Sequence, residues 1–143
     1  MAAQGSNGFT DEERAAMKER AREARRSSRN TPEQDEAEVV AKIHELQGEE
    51  RDMAERIHAI VKEHAPSLAP KTWYGMPSYA KNGKSVVFLQ SASKFENRYF
   101  TLGFNDAAQL DDGTMWATSF ALTKLTADDE QRIIDLVKRA AGE

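Results

Sequence analysis

Apolar positions along the chain change their period near residue 70. From residue 39 they recur at helical spacing, as Val39, Val40, Ile43 and Leu46 and then Met53, Ile57, Ile60 and Val61, which predicts an amphipathic helical region. Thr31-Pro32-Glu33-Gln34 supplies an N-cap threonine, a proline at the first helical position and a capping glutamine at the third. Gly48 marks a break or kink, and Pro66 and Pro70 end the region. Beyond it the period falls to two. Asn82-Gly83 sits between residues 74–80 and 85–90 and signals a type I′ hairpin turn, so those two segments should pair antiparallel. Val86 to Leu89 are apolar on both faces, as in a central strand. Pro77 cannot donate to a ladder, so the first strand is an edge or is bulged at Gly75-Met76-Pro77.

A third strand over residues 98–104 directs Phe100, Leu102 and Phe104 to the core, and a fourth over 115–122 turns Trp116 and Phe120 to the same side. Asp112-Gly113 is the turn signal before it. Thr126 then caps a last helix whose stripe is Ile133, Ile134, Val137 and Ala140, closed by Gly142. These elements describe one α+β domain of residues 31–143, with a mostly antiparallel four-stranded sheet and helices packed on one face.

Residues 1–30 form a basic extension. They carry seven Lys or Arg against five Asp or Glu in a chain of formal net charge −4. Thr10-Asp11-Glu12-Glu13 has capping-box spacing, and Arg22, Arg25 and Arg26 lie at the far end, which suits the helix dipole over 10–26. Its apolar residues are mostly alanine, so it is expected to dock loosely. It reads either as a solvated helix or as an arm for an anion or protein partner.

Composition removes several function classes. Cysteine is absent, which rules out disulfides, thiolate metal sites and a cysteine nucleophile and is compatible with a reducing cytoplasm, the expected location. No apolar run approaches the roughly 20 residues of a membrane span. The acidic body argues against nucleic acid. His44, His58 and His64 offer no i, i+4 pair, so zinc is not expected. Phosphate-loop, dinucleotide and G-x-S-x-G fingerprints are missing, and no acid, base or nucleophile arrangement suggests an enzyme.

What remains is a density of rings near charge. Trp73, Tyr74, Met76, Tyr79 and Trp116, with Lys94 or Arg98 as anion anchor, are the expected lining of one pocket for a small ligand. The same rings read also, and more simply, as sheet core. If a metal is carried, the expected ligands are carboxylates, Glu96, Asp106, Asp111 and Asp112, binding iron weakly.

Trp73-Tyr74-Gly75-Met76-Pro77-Ser78-Tyr79, Gly83-Lys84, Lys94-Phe95, Arg98-Tyr99, Thr101-Leu102-Gly103-Phe104, Asp111-Asp112-Gly113 and Thr118-Ser119-Phe120-Ala121-Leu122 closely resemble the YdhG-like domain of unknown function. Residues 9–20 are similar to an amino-terminal extension in one branch of that family. Ala117 stands where close relatives carry proline. The resemblance implies a frataxin-like α/β sandwich and, from the label borne by part of the family, an iron-chaperone-like role in ligand binding and delivery without catalysis. The aromatic cluster implies the alternative, a module for a small organic or anionic ligand.

Overall fold

The computed structural model describes residues 9–26 and 29–143. Four helices, α1 (Asp11–Arg26), α2 (Pro32–His44), α3 (Gly48–His64) and α4 (Ala127–Ala141), accompany five strands, β1 (Ala69–Pro70), β2 (Ser78–Lys81), β3 (Lys84–Gln90), β4 (Phe100–Phe104) and β5 (Ser119–Leu122). The strands form one antiparallel sheet in sequential order. The sheet thus has five strands where four were expected. The extra one is the two-residue edge strand β1, in which Ala69 and Pro70 lie opposite Ala80 and Tyr79. A pair of residues ending in proline carries no alternation to read, and proline is tolerated there because an edge need not donate on its outer side.

Side-chain caps open three of the helices. Thr31 and Gln34 form a reciprocal capping box, as do Thr126 and Asp129, and Thr10 and Glu13 exchange the same two bonds ahead of α1. Gly48, at φ +59°, opens α3 after the break that follows α2, and Gly142, at φ +76°, closes α4. Asn82 and Gly83 both take positive φ between β2 and β3, as a type I′ turn requires. Part of the linker expected at residues 27–30 falls outside the described residues. No helix among the described residues is long and apolar enough to cross a membrane.

Register decides what each side chain meets. Tyr79 pairs with Val87, Val87 with Phe104, and Leu89 with Leu102, so these residues share one side of the sheet with Phe100. All join one core with Val39 and Ile43 of α2, Ile57, Ile60 and Val61 of α3, and Ile133 and Val137 of α4. Between Tyr79 and Ala80 the register slips by one residue, so the consecutive Val86 and Val87 are both buried. The irregularity expected at Gly75-Met76-Pro77 is therefore two features: a turn before β2 and a bulge inside the β2–β3 pair. Phe120 packs against the core, but Trp116 is 38% exposed and does not. Its expected strand begins only at Ser119, and residues 111–119 are all exposed.

On the opposite side of the sheet Phe88 pairs with Gly103, and its ring lies so close that a Cβ on Gly103 would overlap the ring edge. Gly103→Ala should therefore cost about 1–3 kcal/mol through overpacking. Urea denaturation should show this loss shrinking sharply in a Phe88→Leu background, because the two changes act on one contact.

Candidate functional site

Trp73 to Pro77 is a tight turn that delivers the chain into β2. Trp73 and Met76 exchange both backbone hydrogen bonds, each at 3.0 Å, and the two residues between them, Tyr74 and Gly75, have φ of +52° and +76°. Positive φ at both central positions matches a type I′ turn. The glycine is the legible signal of irregularity, but tyrosine is an unusual occupant of the left-handed region, so the sequence points to an edge or bulged strand where the chain makes a turn.

The amides of that turn are taken by the amino-terminal helix. Glu23 of α1 is only 2% exposed. Its Oε1 accepts the Tyr74 N–H at 3.0 Å and its Oε2 the Gly75 N–H at 2.9 Å. Arg20, one turn earlier, lies 3.9 Å from Glu23 and places its guanidinium 5.9 Å from the centre of the Tyr74 ring. So α1 is fixed by a charged contact, whereas the sequence pointed only to a loosely held, alanine-rich stripe.

Beside the turn, on the side of β2 away from Tyr79, runs a groove of about 460 Å³. Arg20, Lys71 and Lys84 line it with Trp73 and Asn105, against one acid, Asp106. Lys71 and Lys84 form no ion pair among the described residues. The groove wall is hydroxylic. Ser78 and Ser85 are linked at 2.6 Å, and Asn105 donates to Ser85 at 2.9 Å. Thr72 is buried there, and its hydroxyl has no hydrogen-bond partner among the described residues. The groove thus sets three cations and the free Thr72 hydroxyl beside a wall of Ser78, Ser85 and Asn105 that is already hydrogen-bonded within itself, a chemistry that suits an anion. The sequence signal for this wall is a serine on each arm of the hairpin, Ser78 buried and Ser85 half-buried.

A second cavity, of about 440 Å³, lies on the other flank of the turn, where Gly75, Met76 and Pro77 meet Leu89, Lys94 and Phe95. Its rim is organised by Glu50 of α3, which accepts from the Ser91 and Ser93 hydroxyls at 2.9 Å each and from the Ala92 N–H at 2.6 Å. Charge here is mixed, since Lys42 and Lys94 face Glu45 and Glu50.

Tyr79 belongs to neither cavity. It is fully buried, and its hydroxyl lies 2.9 Å from Nδ1 of His58, whose Nε2 lies 3.1 Å from Glu36, which also accepts from Lys62 at 2.6–2.7 Å. Burial pushes the phenol's pKa far up, and the Glu36 charge adds to that push. A protonated phenol donates to Nδ1, which leaves the Nε2 proton for Glu36. Glu36 is held below its usual 4.5, chiefly by the Lys62 hydrogen bond, against the opposing effect of partial burial and with a further hydrogen bond from His58.

The single aromatic pocket is accordingly divided. Trp73 lines the cationic groove and Met76 and Lys94 the second cavity. Tyr74 sits in the turn under Arg20, and Tyr79 is core. Trp116 and Arg98 line neither cavity, and the Arg98 guanidinium lies 5.4 Å over the exposed Tyr99 ring. The kink expected to gather these side chains around one cleft instead spreads them to either side of the turn. Nor do Glu96, Asp106, Asp111 and Asp112 assemble: no group of three or more His, Asp or Glu suited to a metal occurs among the described residues. Glu96 sits in the loop after β3, Asp106 in the groove and the aspartate pair in the exposed 111–119 segment. No family model, curated protein or solved structure matches the chain.

Two outcomes follow from the Tyr79 chain. Tyr79→Phe keeps the ring and removes the hydroxyl, and should lower stability by about 0.5–1.5 kcal/mol in urea denaturation. Because the Glu36 pKa is depressed in the folded state, its contribution is complete above the unfolded value of 4.5 and is lost as pH falls through the folded value. Stability measured downward from pH 4.5 should therefore fall less steeply in Lys62→Met than in the parent.

Proposed function

We propose that the chain is a non-catalytic binding protein for a small phosphorylated or similarly anionic ligand, seated in the groove beside the Trp73–Met76 turn. The observation that carries this reading is the meeting of Lys71 and Lys84, both without ion-pair partners among the described residues, with the buried, unpartnered hydroxyl of Thr72. Unpaired cations beside an unsatisfied hydroxyl suit an oxyanion, which accepts from all of them at once. Trp73 adds an apolar wall for whatever carries the anion. The finer architectural reading is a YdhG-like, frataxin-like sandwich with its helices on one face of the sheet. It is supported by the shared core of α2, α3 and α4 with the Tyr79, Val87 and Leu102 side, which leaves the Ser78 side for the groove. The iron-delivery alternative has no gathered carboxylates to favour it.

The test is a titration with inorganic phosphate against sodium chloride at matched ionic strength, followed by backbone amide shifts. Saturable shifts at Lys71, Thr72, Lys84 and Ser85 are expected. Lys71→Met and Lys84→Met should each weaken binding by about 3–10-fold, as loss of one charge-assisted contact implies. If the shifts track ionic strength alone, or survive unchanged in both variants, the reading is wrong.

A further inference from the structure

A type I′ turn uses the amides at its ends for the pair that closes it, and the two between are left to find other partners. Here both find one carboxylate, with one oxygen of Glu23 for each amide. Successive N–H groups in such a turn form a concave anion site. Gly75 is favoured there by its φ of +76°, while the space around it would take a Cβ at ordinary contact distance. A Cβ would meet Glu19 Cγ at 3.4 Å and the Lys94 ammonium at 3.9 Å. Arg20 completes the surroundings with positive charge.

Glu23 is joined in holding its helix by the half-buried Glu19 and Arg20, the latter over the Tyr74 ring. Glu23 is the one buried residue of α1 among the described side chains, and Met17, the only large apolar side chain within the helix, is 47% exposed. A segment docked chiefly through one carboxylate, with no large apolar side chain buried behind it, is exchangeable for another ligand with the same group.

We propose that the Tyr74–Gly75 turn is a carboxylate-binding site whose resident ligand is Glu23, so that α1 is a tethered occupant and a small free carboxylate is its competitor. The site is separate from the phosphate groove and does not depend on that reading. The two share Arg20, which lies on α1 and lines the groove, so release of α1 also takes one cation from the groove.

The test uses the full-length chain and acetate as probe, with sodium chloride at matched ionic strength as control. In Glu23→Ala the amides of Tyr74 and Gly75 should exchange with solvent about tenfold faster or more, since each loses a charge-assisted hydrogen bond. Acetate should then shift both resonances saturably, with a dissociation constant on the order of 10 mM, and slow their exchange again. The parent should not respond at the same concentrations, because the tethered carboxylate has the higher effective concentration. Absence of a saturable shift at Tyr74 and Gly75, while Leu89 and Leu102 stay protected, overturns the proposal. So does an equal response in parent and variant. Should Glu23→Ala lose protection at Leu89 and Leu102, Glu23→Gln, which keeps the side chain's size, is the deciding variant under the same criteria. Phosphate shifts at Lys71 and Lys84 are scored separately, so either site can fail without the other.

Discussion

A phenol with no solvent exposure must find a hydrogen-bond partner inside the protein, and the rest of this architecture is consistent with how Tyr79 finds one. Its hydroxyl reaches His58 on α3, and His58 reaches Glu36 on α2, so one strand position is tied to two helices. An orphaned hydroxyl at that depth would cost more than the bond itself contributes, which makes the orientation of β2 stringent. With Tyr79 turned to the helices, alternation turns Ser78 the other way. The bulge opposite Tyr79 and Ala80 then lets Val86 join Val87 in the core while Ser85 turns back to meet Ser78. The hydroxylic wall of the groove is thus a consequence of burying the phenol on the other side.

The turn before β2 has a complementary part. It places Trp73 against Phe88, with ring centres 5.2 Å apart, and Phe88 in turn occupies the space that Gly103 leaves open. This stack fills part of the sheet's second side and confines the cationic groove to the region between Trp73 and Asn105. The same turn points its amides at α1. One short motif therefore sets an apolar wall, one border of each of two cavities and the anchor of the amino-terminal helix. Its positive φ values must be held by the surrounding contacts, as a tyrosine in the left-handed region is not a low-energy choice by itself.

Charge is distributed in keeping with this. The chain is acidic overall, yet the groove is cationic, and the one carboxylate buried against the turn comes from the basic segment. Glu50 and Glu36 are each committed to local hydrogen bonds that hold a loop or a helix pair. Net charge therefore describes the solvent-facing body and not the surface beside the turn.

By itself the sequence determined whatever depends on neighbours along the chain. Helical periodicity located α2, α3 and α4, reciprocal capping pairs marked where helices begin, Asn82-Gly83 fixed the hairpin, and alternation put Phe100, Leu102 and Phe104 in the core. These follow from backbone geometry within a few residues, and tertiary packing agreed with them. The site did not follow in this way. Glu23 meets Gly75 from 52 positions away, His58 meets Tyr79 across 21, and Asn105 meets Ser85 across 20. No local pattern encodes such meetings. Two-residue β1 was too short to carry a period, and the irregularity legible at Gly75-Met76-Pro77 carried no sign of which side of the turn each ring would take. Tertiary structure alone decided which rings became core and which walled a cavity, because that depends on which elements arrive to cover each side of the sheet.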